Sequence, residues 1–351
     1  MQSKKALDSI IKKTRVHYYK PIQLAEILYH NRLNHLNLND LESYRSASKQ
    51  WRDQVTQRLV GRISTSSAKF QDNLFEGNAM LPRLLAELGN FNNANNGLVE
   101  AYVYKSFQNK LSSVYDVKRY IESSTPDTFE LQGLLDLFVA KPGLKRSVDK
   151  MYEITIYALF ATIVRALQAQ VTIEIGNNDE QVLKDFEKFI KTVLGLDLEN
   201  QKISHPASLF RVGVTNAADR GLDMLTNFGP VIQVKHLTLK PEDVEDIANG
   251  IAADSIVIVC IDAEKEAILT LLDQLGMKER IQGIITLKDL DNWYNLCLSD
   301  KYSSTLGSTL LADLLREFQL EFPSSEEIEP FVHEREYDLI KFPQDWDINQ
   351  T

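Results

Sequence analysis

At 351 residues, with 44% hydrophobic and 25% charged side chains, the chain has the makeup of a globular protein, either one large domain or two ordinary ones. Its two cysteines, Cys260 and Cys297, are too few for a disulfide framework or a zinc site, and Cys260 ends an apolar run, Ser255-Ile-Val-Ile-Val-Cys260, so both read as core side chains. The start, MQSKKALDSIIKK, lacks the apolar stretch of a signal peptide and no run of about 18 apolar residues follows, so a soluble, cytoplasmic protein is expected.

The net charge of −10 does not exclude a polyanionic partner, because the charge is unevenly spread. Residues 1–70 hold 13 Lys/Arg against 5 Asp/Glu, while residues 311–351 hold 3 against 11. Binding follows the local field, which decays over about 8–10 Å in physiological salt. Nucleic-acid contact is therefore expected from the basic N-terminal part and from any basic lip of an active site.

The first 120 or so residues read as mostly helical. Asn39, with Glu42 three residues on, predicts a helix start, and Leu41, Tyr44, Trp51, Val55 and Leu59 follow at helical spacing. The same helix carries Arg45, Lys49 and Arg52 along one face, then Arg58 and Arg62, with Gly61 closing it and Lys69 in the polar loop beyond. Such a stripe is either a solvated helix face or a DNA-binding one. The Asn-rich stretch from Gly89 to Gly97 reads as a surface loop.

Ser123-Ser-Thr-Pro126 and Lys141-Pro-Gly143 mark a change of regime. Ser147 can cap a long helix near 148–169, followed by a strand at 171–175. An amphipathic helix with Val182, Phe186, Phe189 and Val193 on one face comes next, ending near Gly195. Then come a strand near 208–214, a hairpin, a helix near 241–250 begun by Pro241, and a strand at 255–260. A helix near 263–275, a strand at 281–287 and a helix through Trp293 complete the core. The order predicts antiparallel strands followed by βα alternation, an α/β (α+β) mixed sheet with helices packed on it.

The hairpin carries the chemistry. Pairing 226 with 230 leaves the loop Asn227-Phe-Gly229, with Gly at the position that often needs positive φ. In that register Asp223 lies across from Gln233, and Lys235 is next along the same face. A carboxylate, an amide oxygen and an ammonium would converge there. Asp223, the Gln233 amide oxygen and the Val234 carbonyl suit a hard divalent cation, and Lys235 suits orientation of a water or stabilisation of phosphate charge. Glu153, a carboxylate on an otherwise apolar helix face, is a candidate further acidic group. On its own the D-x9-Q-x-K spacing is a weak signal, since many exposed hairpins carry such residues on their solvent face. No histidines have metal-ligand spacing, and there is no Walker loop, G-x-G-x-x-G or G-x-S-x-G.

Together, Glu153 on a helix, a strand, Asp223, the hairpin, Gln233-Val-Lys235, a helix and a strand resemble the PD-(D/E)xK nuclease core. The segments KALDSIIKKTRVHYYKPIQLAEILY (5–29), SASKQWRDQVTQRLVGRISTSSAKFQDNLF (46–75), YEITIYALF (152–160) and DRGLDMLTNFGPVIQVKHLTL (219–239) resemble the HaeII-type family of type II restriction endonucleases. The resemblance implies a Mg²⁺-dependent homodimer that cuts both strands of duplex DNA at a short, RGCGCY-like palindrome and leaves 5′-phosphate ends, alongside a cognate DNA methyltransferase. It implies a mainly helical, DNA-binding region at 1–140, a nuclease core at 145–300 and an acidic extension at 301–351.

By position, Asp223 matches the core aspartate and Lys235 the lysine. Gln233 stands where most of the superfamily has Glu or Asp, which removes one negative charge and leaves Glu153 or Asp219 to supply it. For a guanine-rich site, Arg45, Lys49, Arg52, Arg58, Arg62 and Lys69 are the candidate DNA contacts. The rival expectations are a structure-specific repair or junction nuclease on the same core, and a DNA-binding protein whose core no longer cuts.

Overall fold

The computed structural model describes residues 1–64, 74–75, 79–141, 143–212, 222–251, 253–323 and 326–347. Lys69 and Asp219 lie outside the described residues. The N-terminal half is helical, as its patterning predicts: α1 (Gln2–Lys13), α2 (Tyr19–Asn34), α3 (Arg45–Val60), α4 (Pro82–Ala94), α5 (Leu98–Ser123) and α6 (Leu131–Ala140). These lead into α7 (Val148–Ala166).

The start of α3 differs from expectation. Leu41–Ser43 forms a separate 3-10 turn, and Tyr44 occupies the N-cap position of α3. Tyr44 is drawn inward, buried with its hydroxyl donating to the Leu38 carbonyl at 3.1 Å, and Glu42 pairs with Arg45 instead of capping. Gly61 does close the helix, at φ 72°.

The Asn-rich stretch is not a surface loop but largely the end of α4. Asn92 is fully buried, and its Oδ1 accepts from the backbone N–H of Val99 (3.0 Å) and Glu100 (3.3 Å), so asparagine caps the first turn of α5 from the neighbouring helix. Ser147 sits at the N-cap of α7, but its hydroxyl makes no capping bond.

After α7 come β1 (Gln170–Glu174), the helical run α8 (Glu180–Asp185) and α9 (Glu187–Phe189), and β2 (Lys202–Pro206), which pairs antiparallel with β1. Strand β2 has no clear alternation in sequence and escaped prediction. The apolar face of this run points outward: Val182, Phe186, Phe189 and Val193 are 38, 58, 54 and 61% exposed, and Leu183, Ile190 and Leu196 form the buried side.

The main sheet has five strands in the order β3 (Leu209–Arg211), β4 (Met224–Thr226), β5 (Val231–Leu239), β6 (Ile256–Ala263) and β7 (Ile281–Thr286). The first three pair antiparallel, and β5–β6–β7 run parallel. Between them lie α10 (Pro241–Gly250), α11 (Lys265–Gln274) and, after β7, α12 (Leu287–Leu298). This is an α+β fold with a mixed sheet, consistent with a restriction-endonuclease-like core and a helical N-terminus.

Period-two alternation on β5 splits the two faces. Ile232 and Val234 pack towards α7, while Val231 and Leu239 pack with Val244, Ile247, Ile268 and Leu272 of α10 and α11. Tyr152 of α7 ties helix to sheet, its hydroxyl donating to the Cys260 carbonyl at 2.9 Å. Cys260 and Cys297 are both buried and unbridged.

The C-terminal residues return to the body. On α13 (Ser308–Glu321), Leu310, Leu314 and Phe318 join the core around α7, and so does Phe322. On α14 (Ile328–Glu334), Phe331 and Val332 join the N-terminal helical core, and so do Tyr337 and Trp346. Helix α5 contributes side chains to both cores. Among the described residues no helix is long and apolar enough to cross a membrane.

Candidate active site

The hairpin adopts the register that its turn chemistry predicts. Met224 pairs with Ile232, which sets Asp223 across from Gln233. Gly229 has φ 124°, and the Thr226 hydroxyl donates to the Pro230 carbonyl at 2.7 Å. Asn227 fastens the turn: its Oδ1 accepts from Ser208 N at 2.8 Å and its Nδ2 donates to the Pro206 carbonyl at 3.0 Å.

Two hydrogen bonds converge on Asp223 Oδ2, from Gln233 Nε2 at 2.6 Å and from the Val234 backbone N–H at 2.7 Å. Gln233 is nearly fully buried. An amide suits this place because it donates to the facing carboxylate, where a glutamate at the same distance would repel it. The bonds leave Asp223 Oδ1 without a hydrogen-bond donor among the described residues. In an extended strand one residue's N–H and C=O point to the same edge, so the Val234 carbonyl shares the Asp223 side.

The Asp223 carboxyl is pushed up to about 6, first by burial and then by the neighbouring Glu153 charge. The Val234 N–H and the charges of Lys150 and Lys235 act the other way. Lys235 and Gln233 also line a cavity of about 280 Å³ shared with Leu237, Asp243, Asp246 and Ile247.

Glu153 is buried on α7, as its position between apolar neighbours suggested, but both of its oxygens are engaged. Oε2 accepts from Lys150 one turn earlier, and Oε1 lies 3.4 Å from Arg211 Nη1 on β3. Arg211 also reaches Glu317 and Glu321 of α13, at 3.4 and 3.3 Å. Sequence reasoning missed Lys150, Arg211, Glu317 and Glu321. Signals existed: an arginine inside the apolar sequence LFRVGV, and carboxylates four apart in LLREFQLEF.

The oxygens that would hold a hard cation here are Asp223 Oδ1, the Gln233 amide oxygen and the Val234 carbonyl; Glu153 acts on Asp223 through its charge, with both of its own oxygens engaged by Lys150 and Arg211. Among the described residues no group of three or more His, Cys, Asp or Glu is placed to hold a metal ion, so a cation at Asp223 would have to draw on neutral oxygens as well.

The basic stripe is not uniform. Arg45 and Lys49 are exposed, but Arg52 is buried at 5%, held by Asp53 at 2.7 Å and facing the Tyr19 ring of α2. Arg52 shares the Arg45 face, but about two turns further along α3 that face meets α2 at Tyr19, and the expected three-residue stripe is broken. Arg58 is forked onto Glu334 at 2.6 and 2.7 Å and reaches Glu327 at 3.1 Å; Arg62 donates to the Leu320 carbonyl. The acidic C-terminal residues thus neutralise part of the basic N-terminal surface.

Comparison with known proteins gives a consistent family. The HaeII restriction endonuclease family model matches residues 3–337. The chain is 48% identical to the type II restriction enzyme HaeII of Haemophilus aegyptius over 338 residues, 95% of this chain and 96% of that one. It is 47% identical to the type II restriction enzyme NgoBI of Neisseria gonorrhoeae over 342 residues, 96% and 97% of the two chains. No solved structure matches it. The chain therefore belongs to the HaeII restriction endonuclease family and is a type II, site-specific restriction endonuclease.

Proposed function

We propose that the protein is a Mg²⁺-dependent homodimer that hydrolyses both strands of duplex DNA at an RGCGCY-like palindrome, leaving 5′-phosphate ends, with Asp223, Gln233, Lys235 and Glu153 as its hydrolytic site. The observation that carries the reading is the convergence of Gln233 and Val234 on one buried carboxylate, with Lys235 on the same strand face. A cation bound at Asp223, Gln233 and Val234 supplies Lewis acidity towards the scissile phosphate and its attacking water. Asp223 presents its open oxygen to that cation, and Gln233 fixes the carboxylate's rotation. Lys235 holds the attacking water or a phosphate oxygen at the cavity mouth, and Glu153 adds negative charge behind the site. The water oxygen bonds to phosphorus as the P–O3′ bond breaks; O3′ leaves as a hydroxyl after taking a proton from solvent, and the phosphate stays on O5′ of the downstream nucleotide.

In this reading residues 1–140 form the DNA-binding region, residues 145–300 the nuclease core and residues 301–351 an acidic extension packed against both. Arg45 and Lys49 of α3 touch phosphates. The enzyme works in the cytoplasm beside a methyltransferase that protects host sites. A twofold dimer would present one site to each strand of a palindrome.

The test is digestion of an unmethylated plasmid of known sequence, with Mg²⁺ and with EDTA, by the wild type and by Asp223→Ala. Discrete bands mapping to one palindrome, lost with EDTA and with Asp223→Ala, are expected. Comparable cutting by Asp223→Ala would refute the site assignment. Bands mapping to another sequence would refute the specificity alone.

A further inference from the structure

We propose that Glu317 and Glu321 of α13 are positioning residues for the hydrolytic site, acting on Glu153 through the Arg211 guanidinium that the three carboxylates share. The inference rests on the cation-site reading above. It deepens that reading by giving the acidic C-terminal helix a part in setting cation affinity.

Three glutamates from two helices meet one arginine from β3. Arg211 lies 3.4 Å from Glu153 Oε1, 3.4 Å from Glu317 Oε2 and 3.3 Å from Glu321 Oε2. All four side chains are largely buried: Arg211 is 13% exposed, and Glu153, Glu317 and Glu321 are 3, 9 and 2% exposed. Burying this much charge is costly unless every carboxylate finds a positive partner, so the cluster is not incidental surface pairing.

The partners are unequally divided. Glu153 also holds Lys150, and Glu317 also meets Arg316 of its own helix at 3.5 Å. Glu321 has one direct ion pair among the described residues, with Arg211, and the Lys150 charge acts on it from further off. It is therefore the carboxylate that competes most directly with Glu153 for the guanidinium. Removing the Glu321 charge concentrates Arg211 on Glu153, and a more firmly paired Glu153 gives less to a cation at Asp223. Helix α13 touches no substrate in this scheme; its effect passes through one arginine.

The experiment titrates Mn²⁺ into the full-length protein and reads free Mn²⁺ by electron paramagnetic resonance, independently of cleavage. Glu321→Gln should weaken Mn²⁺ binding about tenfold, at the low end of effects seen for groups that orient metal ligands, and Glu317→Gln should weaken it less. In an Arg211→Met background, Glu321→Gln should change nothing further, because the route is gone. Equal affinity in wild type and a folded Glu321→Gln protein overturns the proposal. So does a loss of the same size in the Arg211→Met background, which would mean plain through-space charge. If Arg211→Met does not fold, Arg211→Gln takes its place: Glu321→Gln should again change nothing further, and a loss of the wild-type size there overturns the proposal. Asp223→Asn separates the two levels of inference. If it binds Mn²⁺ as the wild type does, or if the wild type binds none, the site reading itself fails; if only Glu321→Gln is silent, the α13 proposal alone fails.

Discussion

At the scale of single residues, Asp223 ties the candidate site to pH. Its carboxyl is raised to about 6 in the folded protein by burial, against a usual value near 3.8. A raised acid favours the folded state while protonated, so its stabilising contribution is present below about pH 4 and lost as pH rises through about 6. Asp223→Asn is therefore expected to raise the melting temperature of the cation-free protein at pH 7.5 and to leave it nearly unchanged at pH 4. An equal shift at both pH values would mean that the carboxylate is not strained by burial. Cation binding needs the ionised form, so cleavage should fall as pH drops through about 6. Lys235→Ala should abolish cleavage while gel-shift binding to duplex DNA in Ca²⁺ persists; loss of both would make it a DNA contact instead.

At the scale of elements, the hairpin is the part on which the site depends. A one-residue slip of β4 against β5 would turn Asp223 to the other face of the sheet, away from Gln233. Gly229, at φ 124°, helps set that register, and no atom crowds the place of a Cβ there. Gly229→Ala should thus act through backbone strain alone, costing about 1 kcal/mol or more in denaturant unfolding and lowering kcat. Unchanged stability and rate would show that the loop tolerates the side chain without strain. Below the hairpin, Ile232 is buried against the α7 core, and Ile232→Ala should cost ~2–5 kcal/mol.

At the scale of the whole molecule, the charge asymmetry of the chain is partly cancelled by folding. The acidic C-terminal Glu327 and Glu334 meet the basic N-terminal Arg58, while Arg335 and Glu26 join the same two regions with the signs reversed. DNA affinity should still fall steeply with salt, with a log–log slope of about −0.9 per phosphate contacted. Arg45→Ala and Lys49→Ala should each reduce that slope, because their side chains reach solvent. Arg52→Ala should leave the slope alone and lower stability, since Arg52 packs inside the helical body. A reduced slope for Arg52→Ala would reverse that assignment.

The strands of the core, the helix begun by Pro241, the hairpin register and the meeting of Asp223 with Gln233 were legible in the sequence, because each follows from local chemistry: alternation, a turn glycine, side-chain spacing. The same local rules misread the Asn-rich stretch, where Asn92 caps a neighbouring helix, and did not tell that the apolar face of Val182, Phe186, Phe189 and Val193 turns outward. They were silent on Lys150, Arg211, Glu317 and Glu321, and mistaken about Arg52, whose neighbour Tyr19 belongs to another helix. Pairing between elements far apart in the chain leaves no periodic trace. Which charge finds which partner, and so which carboxylate at the site stays available, was decided only when α7, β3 and α13 packed together.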